Sequence, residues 1–385
     1  MKWIACELHT HTLHSDGRQT LQELAEGAAQ LGFDAIALTD HNTMSGLVGK
    51  EEVEREYGLI IVPGMEWTTF YGHMVTIGLS EYADWREAMQ QDIDRGIESV
   101  HRLGGIAGLA HPFRVGSPAC TGCFWEYEIG DWNAVDYIEV WSGTFPSIQT
   151  DNHRAYRLWT DKLNEGYRIA ATSGRDWHVQ SDTDEPISVT YLEVGDAACA
   201  KQDGSDIQAD IEKGASESEQ ESFAIPEVAL IQALREGRAS VTIGPLLSMV
   251  LEAAGESYRI GSVLPVTKMN ESDEKMTATI TAKLSVDFSV RPGQWSLAEQ
   301  TFKLKLCSNL GEEIAVNVID STQQSNDTGT LHPKFETSIE LPVLPTDLFR
   351  KWLRAELWGT VQGAHTRIAF TNAVYFESTA EGGAD

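Results

Sequence analysis

The chain has 385 residues, 42% of them hydrophobic and 23% charged, which suits a globular protein of two domains. Its 58 acidic against 29 basic residues give a formal charge of −29, a poor surface for gripping a nucleic-acid backbone, which needs clustered Lys and Arg. No basic segment followed by an apolar one opens the chain, and no apolar run is long enough to span a membrane. Five scattered cysteines define no disulfide framework, so cytoplasmic residence is the default expectation.

Ile4 to Leu8 is a mostly apolar run that reads as a buried strand and leads directly into His9-Thr10-His11. Alternate residues of an extended chain face the same way, so the two imidazoles share one side. Ser15-Asp16-Gly17 makes a turn, and Thr20-Leu21-Gln22-Glu23 has the form of a capping box. Leu21, Leu24, Ala28 and Leu31 mark the inner face of the helix that follows. Phe33 to Leu38 is the next buried strand and delivers Thr39-Asp40-His41-Asn42 at its end. A strand, helix, strand unit of this kind takes a right-handed crossover. It sets both polar clusters at one end of a parallel sheet, where barrel sites form.

Residues 43–57 read as helix, and residues 59–62 as a strand left through Pro63-Gly64-Met65-Glu66, which puts Glu66 on the same rim. A further extended piece, 67–78, holds His73. A helix over 84–103 carries Met89, Ile93, Ile97 and Val100 inward, and a strand over 105–110 exits at His111-Pro112. Residues 113–134 are a loop-like insertion with Cys120 and Cys123, in which Phe113, Phe124 and Trp125 suit an apolar lid. A strand over 136–141 and a helix over 146–163 follow, with His153 at or near the surface. The strand over 168–172 ends in Ser173-Gly174-Arg175-Asp176-Trp177-His178, and 187–194 pairs nearby. Residues 200–222 are polar, acidic and read as a mobile insertion. A helix with Val228, Ile231 and Leu234 inward then leads, past Gly237, to a strand through Val241.

From about residue 250 the texture changes to alternating and β-branched runs such as 300–310, 352–361 and 365–377. These predict a C-terminal all-β, sandwich-like domain over 249–385 beside an α/β domain over 1–248. His332 and His365 have no ligand-type neighbours and read as structural or surface residues, and Cys199 and Cys307 suggest no clamp between the parts.

The candidate ligands are His9, His11, Asp16, His41, Glu66, His73, His111, Asp176 and His178, nearly all at strand exits. That supply suits two or three divalent metal ions. Mixed imidazole and carboxylate donors favour zinc, manganese or iron over metals that prefer thiolates. Two cations about 3.5 Å apart could share a hydroxide, lower its pKa and hold it against an electrophile. Glu66 and Asp176 would then serve catalysis as well as ligation. Arg18, Asn42, Arg114 and Arg175 surround the ligands, and Arg114 and Arg175 are the candidates for a guanidinium contact to phosphate or carboxylate oxygens.

HTHTLHSDG, ALTDHN, PGMEW with GHM, AHP and SGRDWH together resemble the polymerase-and-histidinol-phosphatase (PHP) family of metallohydrolases, over roughly residues 3 to 245. GMEW, GHM and ALREGRASVTIGP are similar in particular to the branch of small phosphoesterases and carbaryl- and melamine-pathway hydrolases. The resemblance implies a distorted seven-stranded β/α, TIM-like barrel with metals at its C-terminal rim. It further implies His9, His11 and Asp176 at a first ion, Glu66 bridging to a second held by His73 and His111, and Asp16, His41 and His178 at a third. Asp16 stands where some relatives use histidine.

The expected activity is hydrolysis of a small phosphomonoester or phosphodiester. The acidic chain and aromatic insertion keep open an amide, ester or carbamate hydrolase. A third reading is a non-catalytic carbohydrate- or partner-binding protein with structural metals. A small-molecule substrate, no nucleic acid and no membrane are expected, and the oligomeric state is left open.

Overall fold

The computed structural model describes residues 2–116, 122–195, 226–267, 279–319, 334–341, 344 and 348–379. The expected insertion at 200–222 lies outside the described residues, as do Cys120, Cys199, His332 and residues 117–121 of the aromatic insertion.

The N-terminal half contains β1 (Lys2–Thr10), α1 (Leu21–Gln30), β2 (Ala35–Leu38), α2 (Lys50–Tyr57), β3 (Ile60–Thr69), β4 (Gly72–Ile77), α3 (Asp94–Arg102), β5 (Ile106–Leu109) and β6 (Tyr137–Ser142). It continues with α4 (Thr150–Glu165), β7 (Ala170–Gly174), β8 (Val189–Val194), α5 (Glu227–Arg235) and β9 (Ala239–Thr242). The capping box forms: the Thr20 hydroxyl accepts from the Glu23 N–H at 3.2 Å, and the Glu23 carboxylate accepts from the Thr20 N–H at 2.7 Å.

Strands β1 to β7 lie side by side in chain order. The steps β1–β2, β2–β3, β5–β6 and β6–β7 are parallel, and β3–β4–β5 is antiparallel. β1, β5, β6 and β7 are buried along nearly their whole length, as parallel strands covered on both faces must be. β3 does not end at Pro63 as the sequence suggested. It runs parallel to β2 up to Pro63 and antiparallel to β4 from Gly64, so the residue without an N–H marks a change of partner.

The expected closed seven-stranded barrel is not confirmed. A parallel bridge joins Thr10 to Trp177, but the sheet itself continues from β1 through β8 and β9 and reaches 15 strands. The outer edge of β7 is therefore met largely by side chains. The Ala171 N–H donates to Asn372 Oδ1 at 2.7 Å, the Ser173 N–H to Thr190 Oγ1 at 2.9 Å and the Arg175 N–H to Glu7 Oε1 at 2.8 Å. Only at Trp177, whose N–H donates to the His9 carbonyl at 3.0 Å, does backbone take over.

Among the described residues the C-terminal half is all-β: β10 (Leu246–Ala253), β11 (Glu256–Arg259), β12 (Val263–Thr267), β13 (Thr281–Asp287), β14 (Thr301–Ser308), β15 (Gly311–Ile319), β16 (Lys334–Glu340), β17 (Trp352–Val361), β18 (Ala364–Thr371) and β19 (Val374–Thr379). β18 pairs with β9, so these strands extend the large sheet, while β11, β10, β13 and β16 form a second, four-stranded one. β10 and β13 alternate buried and open positions, the pattern of a sheet with one face on a core. One apolar cluster runs from Met65 and Trp141 to Phe302 and Phe370, joining the two halves.

Three helix expectations need correction. Residues 43–57 break at Gly49, whose φ of 82° a helix does not accept, into a short 3-10 turn and α2. The 84–103 helix begins only at Asp94, because Asp84 caps a separate turn, and Met89 is 61% exposed; Ile93, Ile97 and Val100 are buried as expected. In α5 Val228 is 72% exposed, and Leu230, Ile231, Ala233 and Leu234 form the inner face instead.

Between α4 and β17 lies a buried, fully paired carboxylate. Glu356 accepts from Tyr156 Oη at 2.8 Å, Arg354 Nε at 3.0 Å, Trp358 Nε1 at 2.9 Å and Arg367 Nε at 3.1 Å. Burial alone would raise its pKa, but Arg367 and Arg354 hold it far below the usual carboxylate range. A depressed carboxylate contributes stability above its unfolded-state pKa and loses it as pH falls toward the folded one. Glu356→Gln is therefore expected to cost about 3 kcal/mol at pH 7 and to flatten the loss of stability below about pH 4. Urea unfolding from pH 7 to pH 3 checks this, and parallel curves for both proteins would refute it.

Candidate metal centre

The site is built where successive strands end. β1 carries His9 and, just beyond, His11; the loop after it carries Asp16; the exit of β2 carries His41; β3 and β4 carry Glu66 and His73; β5 and β7 exit into His111 and Asp176-Trp177-His178. All nine side chains meet. Three groups form, each with its donor atoms within 4.8 Å of one another: His9, His11, Glu66 and Asp176; Glu66, His73 and His111; and His11, Asp16, His41 and His178. Glu66 and His11 each belong to two groups, so the three are continuous. The structure adds one sharing the sequence did not suggest, His11 beside the Asp16 set.

The first two groups are buried apart from Asp176, whose side chain is 17% exposed, and the third opens outward, with the Asp16 side chain 61% exposed. His9 Nε2 lies 3.4 Å from both Glu66 Oε2 and Asp176 Oδ1, and His11 Nε2 lies 3.1 Å from Asp176 Oδ1. His73 Nδ1 is 3.0 Å and His111 Nε2 3.3 Å from Glu66 Oε1. Asp16 Oδ1 receives His41 Nε2 at 3.2 Å and His178 Nε2 at 3.0 Å.

Burial opposes ionisation of Glu66 and Asp176, yet His9 and the neighbouring imidazoles hold both carboxyls well below their ordinary range. Burial pushes His11 down to about 4, leaving its ring neutral. His41, although burial works against its charge, is pushed up to about 10 by Asp16 and Glu66.

Backbone geometry is also unusual here. Asn42, His111 and Asp176 have φ of 54°, 30° and 54°, a region few residues other than glycine adopt.

The donor set fits divalent cations. Among the described residues, buried polar atoms without a hydrogen-bond partner include His9 Nε2, both ring nitrogens of His11, Glu66 Oε2, His73 Nε2 and His111 Nδ1. A buried unpaired polar atom costs about 1–3 kcal/mol, and here the orphans are gathered on ligand-type side chains that converge. The clusters indicate divalent-metal binding.

Of the two arginines, Arg114 reaches the cluster: Nη1 is 2.9 Å from Asp176 Oδ2 and Nη2 donates to Ser142 Oγ at 3.0 Å. The Arg175 guanidinium lies 4.5 Å from the Trp177 ring centre, while its backbone N–H serves Glu7. Arg18 is exposed, and Asn42 clasps Thr68 through both its amide atoms. Phe113 and Phe124 pair edge to face at 5.7 Å, with Arg154 over Phe113.

Sequence reasoning missed Glu7, Glu139 and Thr68. Glu7 accepts from the His9 and Arg175 N–H groups, and burial raises its carboxyl to about 7 despite them. Thr68 Oγ1 contacts His41 Nδ1. Glu139 Oε2 meets His9 Nδ1 at 2.7 Å. The available signal for both acids was a single carboxylate inside an otherwise apolar strand.

A rim of strand-end imidazoles and carboxylates defines a metal-binding α/β protein. Residues 7–130 match the PHP domain family. An uncharacterized protein of Methanocaldococcus jannaschii is 30% identical over 134 residues, 30% of this chain and 71% of that one. The phosphoribosyl 1,2-cyclic phosphate 1,2-diphosphodiesterase of Eggerthella lenta is 32% identical over 83 residues, but the match spans only 20% of this chain and 32% of that enzyme. Among solved structures, a two-domain Bacteroides vulgatus protein described as containing a predicted PHP-like metal-dependent phosphoesterase aligns over 97% of this chain and 95% of its own, with 14% identity and a TM-score of 0.47. The chain belongs to the PHP domain family.

Protein reconstituted with zinc or manganese is expected to hold two to three equivalents by elemental analysis and to melt at a higher temperature than chelator-treated protein. Glu66→Ala, which removes a donor from two groups, should lose at least one equivalent and most of that rise, whereas Asp16→Ala should lose only the outermost ion. Equal metal content in all three proteins would refute the grouping.

Proposed function

We propose that the chain is a metal-dependent hydrolase, and specifically a phosphoesterase acting on a small phosphomonoester or phosphodiester. The observation that carries the phosphoester reading is Arg114, a part-buried guanidinium ion-paired with Asp176, a carboxylate of three contiguous donor groups. His9, His11 and Asp176 would hold one cation, His73 and His111 a second bridged by Glu66, and Asp16, His41 and His178 a third. Bound divalent cations would supply Lewis acidity and a water that gives up its proton at neutral pH.

The protein's own groups do the rest. Glu66, buried, and Asp176, partly exposed, both ionised, fix the spacing of the imidazoles around them. Ser142 and Asp176 orient the Arg114 fork, so that its remaining N–H groups can receive phosphoryl oxygens without a search for geometry. Arg175, the other arginine expected to contact an anion, has its guanidinium over the Trp177 ring instead, so the anion contact is assigned to Arg114. A pocket of about 300 Å³ lined by Thr68, Phe70, Tyr71, Trp85, Arg86 and Tyr127 is large enough for a small organic group, and Thr68 also contacts His41.

A second reading, an amide, ester or carbamate hydrolase of the carbaryl- and melamine-pathway kind, uses the same donors. The paired Phe113 and Phe124, set against a chain of formal charge −29, favour it, since both suit an uncharged substrate. Cytoplasmic residence and the absence of nucleic-acid and membrane partners are parts of the proposal; among the described residues no helix is long and apolar enough to cross a membrane.

Zinc- and manganese-loaded protein assayed on p-nitrophenyl phosphate, its bis-ester and p-nitrophenyl acetate should turn over a phosphate ester. Arg114→Ala should lower kcat/KM for that ester about 100-fold and leave hydrolysis of the acetate within a few fold. Hydrolysis of the acetate alone would transfer the assignment to the second reading.

A further inference from the structure

Glu139 lies on β6 with its side chain only 3% exposed, far from any solvent that would stabilise a carboxylate. Its Oε2 sits 2.7 Å from His9 Nδ1, and its Oε1 has no hydrogen-bond partner. The opposite ring nitrogen of His9, Nε2, is the one that faces Glu66 and Asp176. With the Glu139 oxygen accepting in that contact, Nδ1 carries the proton, and the neutral tautomer of the ring then has its lone pair on Nε2.

A second observation is independent of that contact. On the adjacent strand, a Cβ at Gly174 would fall 2.5 Å from His9 Cβ and 2.8 Å from Glu139 Oε2. Gly174 is buried, and its φ is not among those that demand glycine. What the position requires is the missing side chain, because the Glu139–His9 pair passes through the space it would take.

We infer that Glu139 is a positioning residue: it fixes the His9 ring and its tautomer so that Nε2 presents a lone pair to the buried ligand group, with Gly174 leaving the space for it. The inference rests on the metal reading of the site. Outer carboxylates that hold a ligating imidazole in this way typically contribute a factor of 10 to 100 in metal affinity.

The test compares wild type with Glu139→Ala, Glu139→Gln and Gly174→Ala by zinc affinity in chelator competition, by the His9 tautomer from long-range nitrogen-15 NMR, and by urea unfolding. Glu139→Ala should weaken the tightest zinc about 10- to 100-fold and abolish the single Nδ1–H tautomer. Glu139→Gln, whose amide oxygen can still accept, should keep the tautomer and lose less affinity. Gly174→Ala should show the same zinc loss with Glu139 intact. If Glu139→Ala and Gly174→Ala fold and bind zinc as wild type does, the inference is overturned while the metal site stands. If wild type itself binds no zinc, the metal reading and this inference fail together. Should Glu139→Ala not fold, the isosteric Gln variant decides: a His9 tautomer mixture with unchanged zinc affinity overturns the inference.

Discussion

The outer edge of β7 is the constraint on which the site depends. Among the described residues no strand pairs with it along its length, yet its amides are buried, and a buried N–H without an acceptor is costly. Asn372, Thr190 and Glu7 supply the acceptors at Ala171, Ser173 and Arg175, one from each of three separate parts of the chain. The sequence of contacts ends where Trp177 N–H and carbonyl bond to His9 and His11. Asp176 and His178 are thereby placed beside His9 at the end of β1 and His11 just beyond it. The C-terminal strands thus do more than append a second unit: Asn372, bonded also to the Ala171 and Ala239 carbonyls, ties β7 to β9 and fixes the strand that delivers two ligands.

The electrostatics of the site follow from that closure. Glu7, Glu66 and Glu139, all buried, and the partly exposed Asp176 gather around His9 and His11, where four carboxylates unaided would repel one another and resist ionisation. Imidazoles interleave with them, and Arg114 meets Asp176 at the rim. The result differs from group to group. Glu66 and Asp176 stay ionised, whereas Glu7, which has backbone amides but no imidazole on its carboxylate, is raised by burial to about 7. The overall charge of −29 says nothing of this arrangement, because the contrast is set by which partner each acid touches rather than by the total.

Much of the site was legible because period-two geometry and strand exits are local properties. His9 and His11 had to share a side, and residues following successive parallel strands had to share an end. His73 was less legible: it lies on β4, antiparallel to β3, and reaches the rim only because β3 changes partner at Pro63. Helix lengths were read too long wherever apolar spacing continued past a local stop, at Gly49 and at the Asp84 cap. Val228 fitted the spacing of α5, but the helix turns Leu230 and Leu234 inward instead. The side-chain closure could not be read locally at all, since Asn372 lies 201 residues from the amide it satisfies. Glu139 looked like one acid in an apolar strand, and nothing in its neighbourhood names His9, 130 residues earlier, as its partner.

The backbone at the ligands shows how much of the surrounding structure is committed to their placement. Asn42, His111 and Asp176 occupy left-handed conformations that cost about 1 kcal/mol or more each for residues with a Cβ. Such conformations persist only where neighbouring bonds over-determine them. Asn42 is held by its own N–H on the Glu66 carbonyl and by two amide bonds to Thr68. Asp176 is bracketed by the Arg175 N–H on Glu7 and the Trp177 N–H on His9. His111 sits between the Ala110 N–H on the His73 carbonyl and its own carbonyl's bond from Arg114. In each case the bond that holds the strained residue comes from another ligand or from a residue touching one. The ligand cluster and its backbone are therefore one mutually supporting unit, and donor directions are set by the fold rather than left to side-chain freedom.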